Sequence, residues 1–278
     1  MPFRISLALV TACALLTCGG GLRRAEGQDR PILDTHIHYS ERSWSDYSPA
    51  AVLAILDQAG VPRAFVSSTP DDGTLRLYEA APDRIVPVLR PYRQAGELAS
   101  WQHDPSIMPY LEERLQRRIH RGIGEFHLFG VEARAPVVGQ VLDLAARHGI
   151  FVHCHCDGEA VEILLETRGD VRVLWAHAGM SADAATVGRL VDRHPRLSVE
   201  LAMRGDVAPA GTLDPEWRAL FLRHPDRFMV GTDTWVSSRW ADLPGVQAAT
   251  RAWLAQLPEP VATRIAWENA ERLARPGP

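Results

Sequence analysis

The chain has 278 residues, 46% of them apolar and 23% charged, a profile of an ordinary globular protein long enough for one large α/β domain and a sizeable core. Its formal net charge is −4, and the sequence has no basic block that would track a phosphate backbone, so no nucleic-acid partner is expected. All 30 basic residues are arginine, which rules out any chemistry that requires a lysine.

The chain opens like an export signal. Arg4 supplies a positive start, and the apolar stretch from Ile5 to Leu16 has the length of a signal core, too short to span a bilayer. Leu15-Leu16-Thr17-Cys18 is similar to a bacterial lipobox, which would make Cys18 a lipid-carrying first residue, although Thr17 fits that pattern imperfectly. Cleavage within Gly19 to Gly27 is the other reading. Residues 1–29 are therefore expected outside the fold, and residues 30–278 form one domain. The protein is expected to be exported, either periplasmic or lipid-anchored, with a membrane contact only through Cys18. Cys154 and Cys156 lie two apart in one strand-like run and share a face, so they are expected not to pair.

After the leader, strand and helix patterns alternate. Strand-like runs cover Ile32–His38, Arg63–Ser68, Ile85–Pro91, Gly122–Leu128, Ile150–Cys156, Val171–His177, Leu197–Met203 and Phe228–Thr234. Helical patterns follow each in turn: Pro49–Ala59, Leu75–Ala81, Met108–Arg118, Val137–His148, Ala160–Thr167, Ala182–His194, Pro215–His224 and Leu243–Leu257. Strands that alternate with helices imply a parallel sheet. Eight such units in about 245 residues match a closed (β/α)8 barrel. A doubly wound open sheet is disfavoured, because no Gly-x-Gly-x-x-Gly phosphate turn occurs. A last helix, Pro260–Ala274, is expected to pack outside the barrel.

Position sorts the 11 histidines. His148, His194 and His224 each close a helix before Gly or Pro and suit the negative end of its dipole. His103 and His120 lie outside the strand ends, and a structural role is expected for both. His36, His38, His153, His155 and His177 fall at the C-terminal ends of strands, the face on which barrel active sites are built. His36 and His38 share a strand face, and Glu125 and Asp233 end the fourth and eighth strands. Imidazoles and carboxylates gathered on one face point to a metal centre. His127 shares a face with Glu125, so it either lines the pocket or steadies the glutamate.

The residues Leu33-Asp34-Thr35-His36-Ile37-His38, Phe151-Val152-His153, Trp175-Ala176-His177-Ala178-Gly179, Gly231-Thr232-Asp233 and the closing Ile265–Leu273 resemble the amidohydrolase superfamily. The likeness is nearest to the amidohydrolase-related family that includes aminocarboxymuconate semialdehyde decarboxylase. This resemblance implies that His36, His38, His153 and Asp233 surround a divalent metal, with His177 close by as a further ligand or a polarising acid. Many superfamily members bridge two metals with a carboxylated lysine on the fourth strand. This chain has no lysine, and Glu125 either bridges in its place, as a glutamate does in related metal-dependent DNases, or contacts ligands or substrate.

Neutral imidazoles and carboxylates suit zinc best, as one or two ions. A small-molecule hydrolase is expected, acting on a lactone, ester or amide through a metal-bound hydroxide. Asp233 is the candidate general base and His177 the candidate stabiliser of the oxyanion. Arg90, His127, His155 and Arg204 are candidate substrate contacts, the arginines as clamps for a carboxylate or phosphate. Glu200 is left between a pocket acid and a helix-facing residue. A non-oxidative decarboxylase with the same metal shell is the alternative activity. An oligomer is compatible with the sequence.

Overall fold

The computed structural model describes residues 30–277. The proposed leader and its Cys18 lie outside the described residues. Eight strands run in chain order β1 to β8 in one sheet, with every adjacent pair parallel. They are β1 (Leu33–Ile37), β2 (Arg63–Val66), β3 (Ile85–Leu89), β4 (Gly122–Leu128), β5 (Phe151–Cys156), β6 (Val173–Trp175), β7 (Leu197–Glu200) and β8 (Phe228–Met229). Main-chain hydrogen bonds join the two edges: Thr35 N–H donates to Val230 O at 3.0 Å and Asp233 N–H to His36 O at 2.7 Å. The sheet is thereby a nearly closed (β/α)8 barrel.

The helices fall where the apolar periodicity places them: α1 (Pro49–Gln58), α2 (Asp72–Ala80), α3 (Ile107–Leu115), α4 (Pro136–His148), α5 (Gly158–Thr167), α6 (Ala184–Arg193), α7 (Pro215–Arg223) and α8 (Ser238–Leu254). Several begin on side-chain caps. Asp157 accepts from Ala160 N–H, Asp183 from Thr186 N–H, and Asp214 from Glu216 and Trp217 N–H, satisfying donors that a helix start leaves free. The eighth helix begins earlier than the pattern predicts and carries Pro244 in its interior. Among the histidines expected at helix ends, His224 turns its Nε2 to Asp192 at 2.7 Å rather than to a carbonyl.

Two layers divide the barrel interior. At the base, Leu33, Phe65, Val86, Phe151, Leu174 and Met229 form a buried apolar cluster. Gly122 makes room for it, since a Cβ there would meet the Phe151 ring at 2.6 Å. At the mouth the interior turns polar. The closing segment comprises α9 (Glu259–Thr263), a π turn at Arg264–Glu268 and α10 (Asn269–Ala274). It does not simply lie outside the barrel: Ala270 and Leu273 join the base cluster, and buried Asn269 Nδ2 donates to Pro225 O and Phe228 O at 3.0 and 2.9 Å.

The sharpest departures from the sequence reading are at strand ends. The sixth, seventh and eighth strands stop at Trp175, Glu200 and Met229 rather than running on to His177, Met203 and Thr234. Beyond them His177 (φ 55°), Ala178 (φ 46°), Met203 (φ 61°) and Asp233 (φ 59°) leave the extended region. Positive φ costs a residue with a Cβ, and such conformations gather at functional sites. The ladder gives way where the chain must turn its side chains inward over the mouth.

Candidate metal centre

β1 sets the first pair. His36 and His38 project to the same face, and their Nε2 atoms lie 3.1 Å apart. Each ring is held by its other nitrogen: His36 Nδ1 meets Glu200 Oε2 at 2.9 Å and His38 Nδ1 meets Ser67 O at 2.5 Å. A carbonyl can only accept, so His38 donates from Nδ1 and its Nε2 keeps a lone pair. The same assignment at His36, donating to the Glu200 carboxylate, leaves two converging nitrogen donors. Glu200 is fully buried and also accepts from the main-chain N–H of His177 at 3.1 Å and of Ala202. Gly231 permits this arrangement, because a Cβ there would meet Glu200 Oε1 at 2.3 Å and His36 Cβ at 2.7 Å.

Glu125 lies in the middle of the cluster. Its Oε1 is 3.4 Å from His36 Nε2, 3.5 Å from His177 Nε2 and 3.0 Å from His155 Nδ1. Its Oε2 is 3.1 Å from His38 Nε2 and accepts from Arg90 Nη2 at 3.3 Å. Arg90 Nε also donates to the Glu125 carbonyl at 2.9 Å, fixing the residue at both ends. Asp233 closes the other side, with Oδ1 3.3 Å from His38 Nε2 and 3.8 Å from His36 Nε2. His177 donates from Nδ1 to Ala202 O at 3.0 Å, and its Nε2 faces the carboxylates.

The electrostatics follow from crowding charge in a dry site. Burial opposes an imidazolium at His36, but Glu125, Asp233 and Glu200 together raise its pKa well above the usual value. Burial likewise opposes the carboxylate of Glu125, yet His36, His155 and His177 hold its pKa well below the ordinary range. Asp233 is also lowered, against burial, by His36 and His38. His177 is raised against burial, chiefly by Glu125. His127 is pushed down to about 3 by burial and stays neutral. Behind the site, burial raises the Asp34 carboxyl to about 6; it accepts from His36 N–H at 3.0 Å, Thr232 N–H at 3.1 Å and Gln247 Nε2 at 2.8 Å.

These residues fit a divalent ion. Among the described residues three sets of donor atoms lie within 4.8 Å of one another: His36, His38 and Asp233 form the first, His36, His177 and Glu200 the second, and Glu125, His127 and His155 the third. The Asp233 Oδ1 atom is buried and lacks a hydrogen-bond partner, which an ion at the first set would supply. Nitrogen and carboxylate donors in this number suit a first-row metal.

Most of the expected residues meet here. His36, His38, Glu125, His155, His177 and Asp233 converge, and Arg90 and His127 line the same cavity. His153 lies deeper. Its ring centroid is 4.7 Å from that of His36 and its Nε2, like Asp233 Oδ1, is buried with no hydrogen-bond partner, although it belongs to none of the three donor sets. On the ladder His153 stands opposite Gly124 and His155 opposite His127, with Glu125 at the register shift between them, so Glu125 lies between the levels of the two β5 histidines.

Arg204 does not line this cavity. Its guanidinium donates to the carbonyls of His177, Ala178 and Ala182 at 3.1, 3.0 and 2.8 Å and pairs with Asp206 at 2.6 Å, so it clamps the loop that carries His177. Cys154 and Cys156 correct the expectation above: they are joined by a disulfide, their Cα atoms 5.5 Å apart, within the span such a bond covers. Both are buried in the main core cluster, outside the donor sets. Three supports were not singled out from sequence. They are the Ser67 carbonyl, Asp34, and Arg239, which donates to Asp233 O at 2.5 Å and Thr232 O at 2.7 Å. The Asp34 in Leu-Asp-Thr-His-Ile-His was the one available signal.

A cavity of about 270 Å³ opens over the cluster. His38, Glu125, His127, His155 and Asp233 form its polar floor, and Leu98, Met180, Met203 and Trp235 form much of its wall.

An eight-stranded parallel barrel that gathers histidines and carboxylates at its C-terminal mouth is the architecture of a metal-dependent hydrolase. The chain belongs to the amidohydrolase family, whose model matches residues 33–275. No curated protein matches it in sequence. Among solved structures, it is similar to a probable 2-pyrone-4,6-dicarboxylic acid hydrolase from Acinetobacter baumannii, with 13% identity and a TM-score of 0.59 over 87% of this chain and 98% of that one. A putative 2-pyrone-4,6-dicarboxylic acid hydrolase from Pseudomonas putida gives 15% identity and a TM-score of 0.58, over 88% and 97%. A TatD homologue from Escherichia coli gives 18% and 0.58, over 88% and 98%. At these identities the likeness is one of fold.

Proposed function

We propose that this enzyme hydrolyses a C–O or C–N bond of a small molecule, such as a lactone, ester or amide, with zinc as its metal, as one or two ions. The observation that carries the reading is Glu125, whose two oxygens reach the His36–His38 pair on one side and His155 and His177 on the other. His36, His38 and Asp233 would hold one ion, and Glu125 with His153 or His155 would share it or hold a second, which leaves His177 as the polarising acid.

When bound, the metal supplies a Lewis acid that polarises a carbonyl and brings the pKa of water near 7. The chain's own residues supply the rest. Asp233, kept ionised by His36 and His38 despite burial, accepts the proton of the attacking water and returns it to the leaving group. His177, its ring fixed through Nδ1 on Ala202 O, turns Nε2 toward the oxygen on which negative charge develops. Neutral His127 is oriented by Tyr92, whose hydroxyl accepts from His127 N–H at 2.7 Å and donates to Nδ1 at 3.1 Å. Its Nε2–H is then free to donate to substrate. The direct experiment is metal analysis of the purified protein with a screen of lactones, esters and amides, run beside aromatic carboxylates whose decarboxylation releases carbon dioxide. Carbon dioxide release without any hydrolysis would overturn the proposal in favour of the decarboxylase.

A further inference from the structure

Among the described residues, seven large apolar side chains are strongly exposed, between 39% and 66%. Six of them, Leu98, Phe129, Val131, Met180, Met203 and Trp235, lie on the loops that follow β3, β4, β6, β7 and β8. The seventh, Leu222, is on α7. Single apolar side chains scattered over a surface are ordinary. Five of these six, all but Val131, meet at one opening, and such a patch marks a binding surface.

This rim is continuous with the metal centre. Leu98, Met180, Met203 and Trp235 line the same cavity as His38, Glu125 and Asp233. The Phe129 ring stands edge-on to His155, centroids 6.1 Å apart. Met180 and Met203 both sit at positive φ, 59° and 61°, a backbone cost accepted at the two points where a thioether is turned outward over the opening. Methionine adapts its shape to what it covers. The one guanidinium on the floor, Arg90, already donates to Glu125, and Arg204 is absent from the lining. Arg42 remains as an exposed cation at the edge.

We propose that the substrate carries an extended apolar substituent beside the bond to be broken, and that this arm lies across the rim while the bond rests over the polar floor. Trp235, Met180 and Met203 then determine specificity. The inference rests on the hydrolytic reading of the centre and names its substrate class: a lactone, ester or amide with an alkyl or acyl arm.

The test uses the metal-loaded enzyme and two series. In the first, γ-lactones with side chains from methyl to heptyl are hydrolysed. The value of kcat/KM should rise roughly two- to threefold per added methylene, somewhat less than full burial would give. The double variant Trp235→Ser/Met203→Ser should flatten that rise, whereas Leu222→Ser on the outer helix should keep it. In the second, calorimetry measures binding of unbranched carboxylic acids of four to ten carbons, which cannot be hydrolysed. Affinity should climb with length in the wild type and not in the double variant. Affinity that climbs without turnover of any lactone, or of any ester or amide in the screen, would sustain the rim and overturn the hydrolytic reading. Turnover and affinity that are both independent of length would overturn the rim and leave the centre intact. A preference for arms ending in a carboxylate over alkyl arms of equal length would overturn it in favour of Arg42. A wild-type dimer that the double variant dissociates would instead make the rim an interface between copies.

Discussion

At the scale of single residues, the centre separates roles that the sequence leaves merged. Asp233 is both a neighbour of the His36–His38 nitrogens and the carboxylate best placed to move a proton. On the proposed mechanism Asp233→Asn keeps the shape and removes the base, while His36, His38 and Glu125 would still hold the ion. It should stay folded, retain part of its metal and lose at least about a hundredfold in turnover, read by circular dichroism, metal analysis and kcat. Near wild-type turnover would pass the role of base to Glu125 or His177. On β5 the resemblance points to His153, and the geometry brings His155 to Glu125 as well. His155 Nδ1 stands 3.0 Å from Glu125, whereas His153, its pKa driven by burial well below the usual imidazole range, is neutral and leaves a buried Nε2 without a partner, as a metal ligand requires. Metal content should therefore fall further in His153→Ala than in His155→Ala, and the reverse order would make His155 the ligand. Residue types at strand ends were legible from sequence because side-chain alternation is a local rule. The choice between His153 and His155 was not, since both obey that rule and Glu125 on the neighbouring strand lies between their levels.

At the scale of elements, the strands announced themselves and their ends did not. Apolar runs and helix-breaking Gly and Pro located all eight βα units, because burial on both faces forces a continuous apolar signal. The departures at His177, Met203 and Asp233 come from tertiary demands, which override the local pattern at the mouth. Glu200 shows what such demands hide. At the end of a strand its side chain faces either helix or barrel, and the contact that settles the matter, His36 Nδ1, lies 164 residues away in sequence. Arg204 shows the converse, an arginine after a strand that reads as a substrate clamp and instead holds its neighbouring loop by three carbonyls. Because Glu200 orients His36 and anchors the turn at His177 and Ala202, Glu200→Gln should weaken metal binding about 10- to 100-fold, as removal of such outer partners generally does. The neutral amide still fills the space beside Gly231, so the melting temperature of the metal-free form should move little. Unchanged affinity by chelator competition would show that His36 is held by strand geometry alone.

At the scale of the whole molecule, the barrel sets an apolar base sealed by α10 against a polar mouth of histidines and carboxylates. The base contributes stability by burying apolar surface, while the mouth takes from it: desolvated imidazoles and carboxylates are costly in a dry interior unless paired. The mutual pairing of His36 with Glu125, Glu200 and Asp233 offsets part of that cost, and a bound cation would offset more by satisfying Asp233 Oδ1 and the converging Nε2 atoms together. Metal and fold are then linked. A ligand that binds only the native state stabilises it by about 2.7 kcal/mol at a free concentration a hundred times its dissociation constant. For a domain of this size that corresponds to a rise in melting temperature on the order of 5–10 °C. Stripping the enzyme with a chelator should lower its melting temperature by that amount, and zinc added back in excess should restore it. The variant His36→Ala/His38→Ala separates this linkage from a general effect of the chelator, because a protein unable to hold the ion should melt at one temperature with or without it. Equal chelator sensitivity in the variant and the wild type would place the stabilising ion away from the β1 histidines and remove the basis for assigning the centre to them.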